Sequence, residues 1–122
     1  MLPVASTSGP ITLGVIVPLS GDASAVGLPI SRAVDLAVAE INSAGGVRGR
    51  LLQTDTADGH CTAGPAVEAA ARMIDQEHVT ALLTSCSSET LAVAPLAQRA
   101  HTIVFSPSST SPAISTAGDF IF

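Results

Sequence analysis

Residues 79–100 read VTALLTSCSSETLAVAPLAQRA, and the reading of this stretch decides the fold. Val79-Thr80-Ala81-Leu82-Leu83-Thr84 is a nearly continuous apolar run. Such a run suits a strand covered on both faces, as in a parallel sheet. Ser85-Cys86-Ser87-Ser88 follows at once, and then a Leu/Ala-rich segment of helical character. The expected order is strand, hydroxyl-rich turn, helix. Pro95 lies inside the helical pattern and predicts a kink or short break, since proline removes a backbone donor. In open α/β sheets ligands sit at such a place, at the carboxyl end of a strand and the amino end of the next helix. Free N–H groups and the helix dipole favour an anion there. Serine hydroxyls add donors that can turn toward a carboxylate. The plainer alternative is that Ser87 or Ser88 simply caps the helix.

Outward from this stretch the same unit repeats. Ile11-Thr12-Leu13-Gly14-Val15-Ile16-Val17 reads as a first strand, broken by Pro18 and the loop after it. Ile30, Val34, Val38 and Ile41 recur at helical spacing, which predicts a helix over residues 24–43. Gly45-Gly46 stops it. Residues 50–56 form a second strand whose imperfect alternation places it toward an edge. Pro65 suits the first turn of a second helix with Val67, Ala70, Ala71 and Ile74 as its apolar stripe. Thr102-Ile103-Val104-Phe105 is a fourth strand, and Ser111-Pro112 opens a short helical segment. Four strands alternating with three helices predict a three-layer α/β fold: an open, mostly parallel sheet with helices on both faces. Residues 1–10 are read as a loose leader and residues 11–122 as the folded unit. The terminal apolar cluster Phe120-Ile121-Phe122 reads as an element cut off.

Charge and composition exclude several classes. The 122 residues are 47% hydrophobic and only 12% charged, with a formal net charge of −5 and no lysine. Nucleic-acid binding needs clustered cations, which are absent. No apolar stretch approaches the roughly 18–20 residues of a membrane span. The first five residues lack the basic start and apolar core of a signal peptide. Cys61 and Cys86 fall in no CxxC pattern and have no second pair, so no zinc site is expected. One disulfide and two buried thiols both fit them.

Two hydroxyl clusters carry the chemical signal. Ser85, Ser87 and Ser88 follow the third strand, and Ser108, Ser109 and Thr110 follow the fourth. Parallel neighbouring strands lie about 4.8 Å apart and end on the same edge, so the clusters converge there with the loop over residues 19–27. Hydroxyls, backbone N–H groups and a helix start make a site for a small carboxylate or phosphate. Enzyme signatures are missing: no GxSxG elbow, and no phosphate loop, which would need a lysine. His60, His78 and His101 show no metal-ligand spacing. Asp55 and Asp58 suit capping better than ligation. No catalytic residue, cofactor or metal is expected.

Leu13-Gly14-Val15-Ile16-Val17-Pro18-Leu19-Ser20-Gly21, then AEIN-xx-GGV-x-GR over residues 39–50, resembles the opening of type I periplasmic solute-binding proteins. The nearest subgroup is the leucine/isoleucine/valine-binding receptors of ABC importers. Cys61, residues 69–74 (AAARMI), Ser85-Cys86-Ser87-Ser88 and the SPSSTSP segment over residues 106–112 agree in order. The resemblance implies two α/β lobes closing on a ligand, of which residues 11–122 form part of the N-terminal lobe. It implies that Cys61 and Cys86 pair. It also implies that Ser87 and Thr110, with backbone groups near Ser108 and Ser109, grip the α-carboxylate and α-amino ends of an amino acid. On the same resemblance Ser85 and Cys86 are expected to line that wall, and Val26 stands where family members often carry an aromatic.

The resemblance makes the expected function that of a binding module, not an enzyme. The expectation is the extracytoplasmic receptor of an ABC importer that takes a small carboxylate, an amino acid by preference, and docks on a permease. One alternative is a sensor domain of the same fold. Another is a small α/β hydrolase using Ser87 with His101 as base. A half-lobe leaves apolar faces bare, so self-association through Phe120–Phe122 is also expected.

Overall fold

The computed structural model describes residues 9–122, and most of the expected leader, residues 1–8, lies outside the described residues. Gly9 and Pro10 belong to the fold: Arg50 Nε donates to the Gly9 carbonyl at 2.8 Å. β1 (Ile11–Val17) is followed by α1 (Ser24–Ser43), β2 (Leu52–Asp58), α2 (Ala63–Asp75), β3 (Ala81–Thr84), α3 (Ser87–Ala100) and β4 (Ile103–Phe105). A 3-10 helix, Pro112–Thr116, comes last, with Ser111 Oγ accepting from Ala113 N–H as its cap. The strands run β2-β1-β3-β4 and every pairing is parallel. β2 is therefore an edge strand, as its mixed polarity predicts.

Alternation along β1 assigns the faces. Gly14 and Ile16 point to one side, in register with Leu82 and Thr84 of β3, and Leu82 pairs in turn with Val104 of β4. α2 and α3 pack on this side. Ile16, Leu82 and Val104 join Ala66, Ala70, Met73, Val93 and Ala97 in one buried cluster. Alanines let the two helices lie close to the sheet. Gly14 contributes by absence: a Cβ there would run into Leu82 Cδ2 and Met73 Sδ. Val15 and Val17 point to the opposite side and are buried, and α1 packs on this side against β1 and β2. Gly27 lets α1 close onto the chain, since a Cβ at that position would overlap the Pro18 carbonyl.

The second side is only half covered. Ile103 and Phe105 project there from β4, and they are 46% and 52% exposed. The last residues extend the sheet past β4. Val104 N–H donates to Phe120 O, and Phe122 N–H donates to Val104 O, each at 2.8 Å, in a parallel bridge of Val104 with Ile121. The segment expected to exchange between copies thus pairs with its own β4.

Three local expectations are corrected. β2 begins at Leu52 and ends at Asp58, two residues later than its sequence reading. Arg50 is taken up in a tight turn, exchanging backbone hydrogen bonds with Val47 at 2.8 and 3.0 Å. β3 starts at Ala81 because Val79 N–H is spent on Met73 O, closing α2. Pro95 does not break α3, which runs unbroken from Ser87 to Ala100. Pro95 is exposed there, so the ring meets solvent and only one helical hydrogen bond is lost.

Candidate ligand-binding site

The carboxyl ends of four parallel strands place four loops on one edge: residues 18–23, 59–62, 85–86 and 106–111. Because β3 and β4 are neighbours, the Ser85-Cys86 turn and the Ser106–Ser111 loop touch. The Ser85 carbonyl is the point of contact. Ser108 Oγ donates to it at 2.7 Å and Ser109 Oγ at 3.2 Å. Behind them runs a chain of hydroxyls, Thr84–Thr90–Ser109–Ser106, with successive oxygens 2.6 to 2.8 Å apart. Thr84 and Thr90 are fully buried, so these contacts satisfy groups that water cannot reach.

Ser87 ties the helix to the other loop. Its Oγ accepts from the N–H groups of Thr110 and Ser111, each at 3.1 Å. Two accepted bonds use both lone pairs and leave the hydroxyl proton to be donated. Ser88 Oγ donates to the Cys61 carbonyl at 2.7 Å. Neither serine caps α3. The N-cap position is Cys86, and Glu89 three residues on accepts from its N–H at 3.0 Å. The expected set Ser85, Cys86, Ser87, Ser108, Ser109 and Thr110 is therefore brought together. Val26 lies on the first turn of α1, on the same edge and 51% exposed.

Cys61 and Cys86 are bonded, with Cα atoms 5.4 Å apart. The bond joins the loop after β2 to the turn after β3, at the base of the serine wall.

A second group on this edge is not legible as a unit in the sequence. Asp58, the last residue of β2, accepts from Leu19 N–H at 3.0 Å, Ser20 Oγ at 2.5 Å and His60 N–H at 2.9 Å. His60 Nδ1 lies 3.3 Å from Ser20 Oγ. Serine, histidine and aspartate are the residue types of a catalytic triad, but the protons run the wrong way. Ser20 gives its one proton straight to Asp58 and not to the imidazole, so its oxygen is not activated. The group is a clasp between two loops. Burial works to raise the Asp58 pKa, but the hydrogen bonds from Ser20, Leu19 and His60 outweigh it and hold the carboxyl below its ordinary range. Asp55 is no ligand either: Arg72 of α2 donates to its Oδ2 at 2.8 Å.

His101 closes the far end of α3 with φ 54° and stacks on Phe120, ring centres 5.0 Å apart. A helix of fourteen residues, about 20 Å long, separates it from Ser87. A hydrolase built on that pair has no base at its serine. Among the described residues no three His, Cys, Asp or Glu side chains gather to hold a metal, and no helix is long and apolar enough to cross a membrane. A surface hollow of about 700 Å3 lies at the β2 edge beside α2, lined by Asp58, His60, Glu68, Arg72 and Asp75 among others. Its lining includes none of the serine-wall residues.

Sequence reasoning missed Glu89, Thr90 and the Asp58 clasp. For Glu89 a signal was present, because a glutamate three residues into a helix is half of a capping box.

The profile of a family described as "Periplasmic binding protein" matches residues 10–122. An "Amino acid binding protein" of Pseudomonas aeruginosa is 31% identical over 109 residues, covering 88% of this chain and 29% of that protein. The "Chemotactic signal transduction system substrate-binding protein BasB" of Halobacterium salinarum is 34% identical over 112 residues, covering 89% of this chain and 27% of that protein. Among solved structures, the branched-chain amino acid transporter substrate binding protein LivJ of Streptococcus pneumoniae, in complex with isoleucine, superposes with a TM-score of 0.88 at 28% identity. That match covers 93% of this chain and 33% of the other. The chain thus spans about a third or less of the length of the proteins it matches.

Proposed function

The chain belongs to the periplasmic binding protein family, and from that premise we propose that it supplies one wall of a cleft that binds a small carboxylate, an amino acid by preference. The carrying observation is the convergence of Ser87, Ser108, Ser109 and Thr110 on one sheet edge, with a hydroxyl proton on Ser87 not committed to the fold. Ser87 donates to the ligand carboxylate. The Thr110 hydroxyl and the backbone near Ser108 and Ser109 take the amino end, while Ser85, Cys86 and Val26 shape the wall beside it. The isoleucine bound in the Streptococcus pneumoniae structure supports an aliphatic amino acid as the first ligand to try.

A wall alone binds weakly. A few charge-assisted hydrogen bonds contribute about 1.5–3 kcal/mol each, and much of that offsets lost translational freedom. The 122-residue chain is expected to bind isoleucine at millimolar level or not at all. The decisive experiment is a chimaera in which residues 11–122 replace the matching part of the Streptococcus pneumoniae protein. Micromolar binding of isoleucine or leucine by calorimetry, lost on Ser87→Ala, supports the reading. A folded chimaera that binds no aliphatic amino acid overturns it.

An ABC permease is the proposed partner, and an extracytoplasmic compartment is supported by the family and by the disulfide. A second reading rests on the 34% identity to a chemotactic substrate-binding protein. Under it, ligand binding feeds a receptor and not an importer. Pull-down from the native host separates the two, by a permease and ATPase on one hand or a membrane signalling receptor on the other. The half-covered sheet face supports self-association of the chain taken alone.

A further inference from the structure

We propose that Glu89 is the positioning residue of the serine wall, and that it holds the wall independently of the disulfide. Glu89 has no exposed surface. Its Oε1 accepts from Cys61 N–H at 3.1 Å. Its Oε2 accepts from Cys86 N–H at 3.0 Å, and from Ser85 N–H and Ser85 Oγ, both at 3.3 Å. A carboxylate is acceptor-only, and every one of these groups is a donor. One side chain therefore joins the two loops that the Cys61–Cys86 bond also joins.

The peptide group between Ser85 and Cys86 transmits this anchoring to the wall. In a trans peptide the C=O and the following N–H point in opposite directions. Fixing Cys86 N–H on Glu89 aims the Ser85 carbonyl away from it, toward the β4 loop. That carbonyl is where Ser108 and Ser109 dock. Glu89 thus sets the direction in which the serines stand without reaching the cleft itself. The fit around it is close: a Cβ on Gly59 would collide with Oε1 and would lie 2.8 Å from Ile16 Cγ2. Gly59 is glycine because the carboxylate rests against its backbone.

Reducing the disulfide leaves all four contacts to Glu89 in place, so the wall is expected to persist as a dithiol. Replacing Glu89 by glutamine keeps the shape but sets an NH2 group against donors. The ligand-free test is amide hydrogen exchange on the 122-residue chain. Cys61, Ser85 and Cys86 are expected to stay protected in the oxidised chain and in Cys61→Ala/Cys86→Ala. In Glu89→Gln they are expected to exchange at least tenfold faster, while Leu82 and Val104 in the core are unchanged. If Glu89→Gln does not fold, Gly59→Ala displaces the carboxylate without altering it and should give the same pattern. Unchanged exchange in the Glu89→Gln or Gly59→Ala chain overturns the proposal. So does loss of protection on removing the cysteines alone.

The role in binding rests on the amino-acid reading above and is tested in the chimaera. Glu89→Gln should weaken isoleucine at least tenfold, and reduction of the disulfide to the dithiol less than threefold. A chimaera that binds no isoleucine while the exchange pattern holds refutes the ligand assignment and leaves Glu89 as the residue that positions the wall. Equal affinity in Glu89→Gln and the parent refutes its role in binding.

Discussion

The Ser87 hydroxyl oxygen sits between the backbone N–H groups of Thr110 and Ser111, 3.1 Å from each, and so pins the loop after β4 to the first turn of α3. Those N–H groups have no side chain of their own loop to turn to at this point. Ser87→Ala removes the acceptor and the donated proton together. A destabilisation of about 1–2 kcal/mol is expected from the two lost bonds. Urea unfolding measures it, and in the chimaera isoleucine affinity should fall at least tenfold. If stability falls and affinity does not, Ser87 is a loop fastener only.

Asp58 makes the clasp sensitive to acid. Its folded pKa lies below the unfolded value, so its contribution is fully present above about pH 4 and is lost as pH falls through the folded value. Between neutral pH and pH 5 the clasp should hold. Below about pH 4 the urea midpoint should drop more steeply in the parent chain than in Asp58→Asn. Asp58→Asn should cost about 1–2 kcal/mol at pH 7, where the parent has three donors on one carboxylate. Parallel pH profiles for the two proteins would remove Asp58 from the account.

Gly27→Ala sets two effects against each other. Inside a helix, alanine is favoured over glycine by about 1 kcal/mol. Against that, the new Cβ would overlap the Pro18 carbonyl, a backbone atom that cannot rotate away. Overpacking of this kind typically costs about 1–3 kcal/mol, and with backbone as the obstacle the upper part of that range applies. Net destabilisation is expected, together with displacement of the loop that carries Ser20. A rise in Tm would show that α1 tilts freely at its start.

These cases show which parts of the molecule are legible in the residues. Ile11–Val17 and Ser24–Ser43 appear where the sequence puts them, because Pro10, Pro18 and Gly45-Gly46 punctuate them. The serine clusters are legible for a topological reason: parallel strands must end on one edge. β2 is displaced by two residues because Thr54, Asp55, Thr56 and Asp58 give no apolar alternation to anchor a register. Its register is set by pairing with β1, where Asp58 faces Val17. Contacts such as Asp58 to Ser20, and Glu89 to Cys61, join residues far apart in the chain. No local pattern encodes them, even where the residue types invite them.

The bare half of the sheet carries the last prediction. Ile103, Phe105 and Phe122 are 46%, 52% and 61% exposed, although a strand face is normally covered. Contiguous exposed apolar surface associates. The chain alone should form concentration-dependent oligomers in sedimentation or light scattering. Phe105→Ser should shift them toward monomer with a small change in stability, since the side chain is half in water already. The edge beyond β4 is the less suitable contact. Phe120 and Phe122 already pair with Val104 there, so exchange of that segment requires breaking its own bridge first. An association insensitive to Phe105→Ser but abolished by deleting residues 120–122 would reverse that ranking.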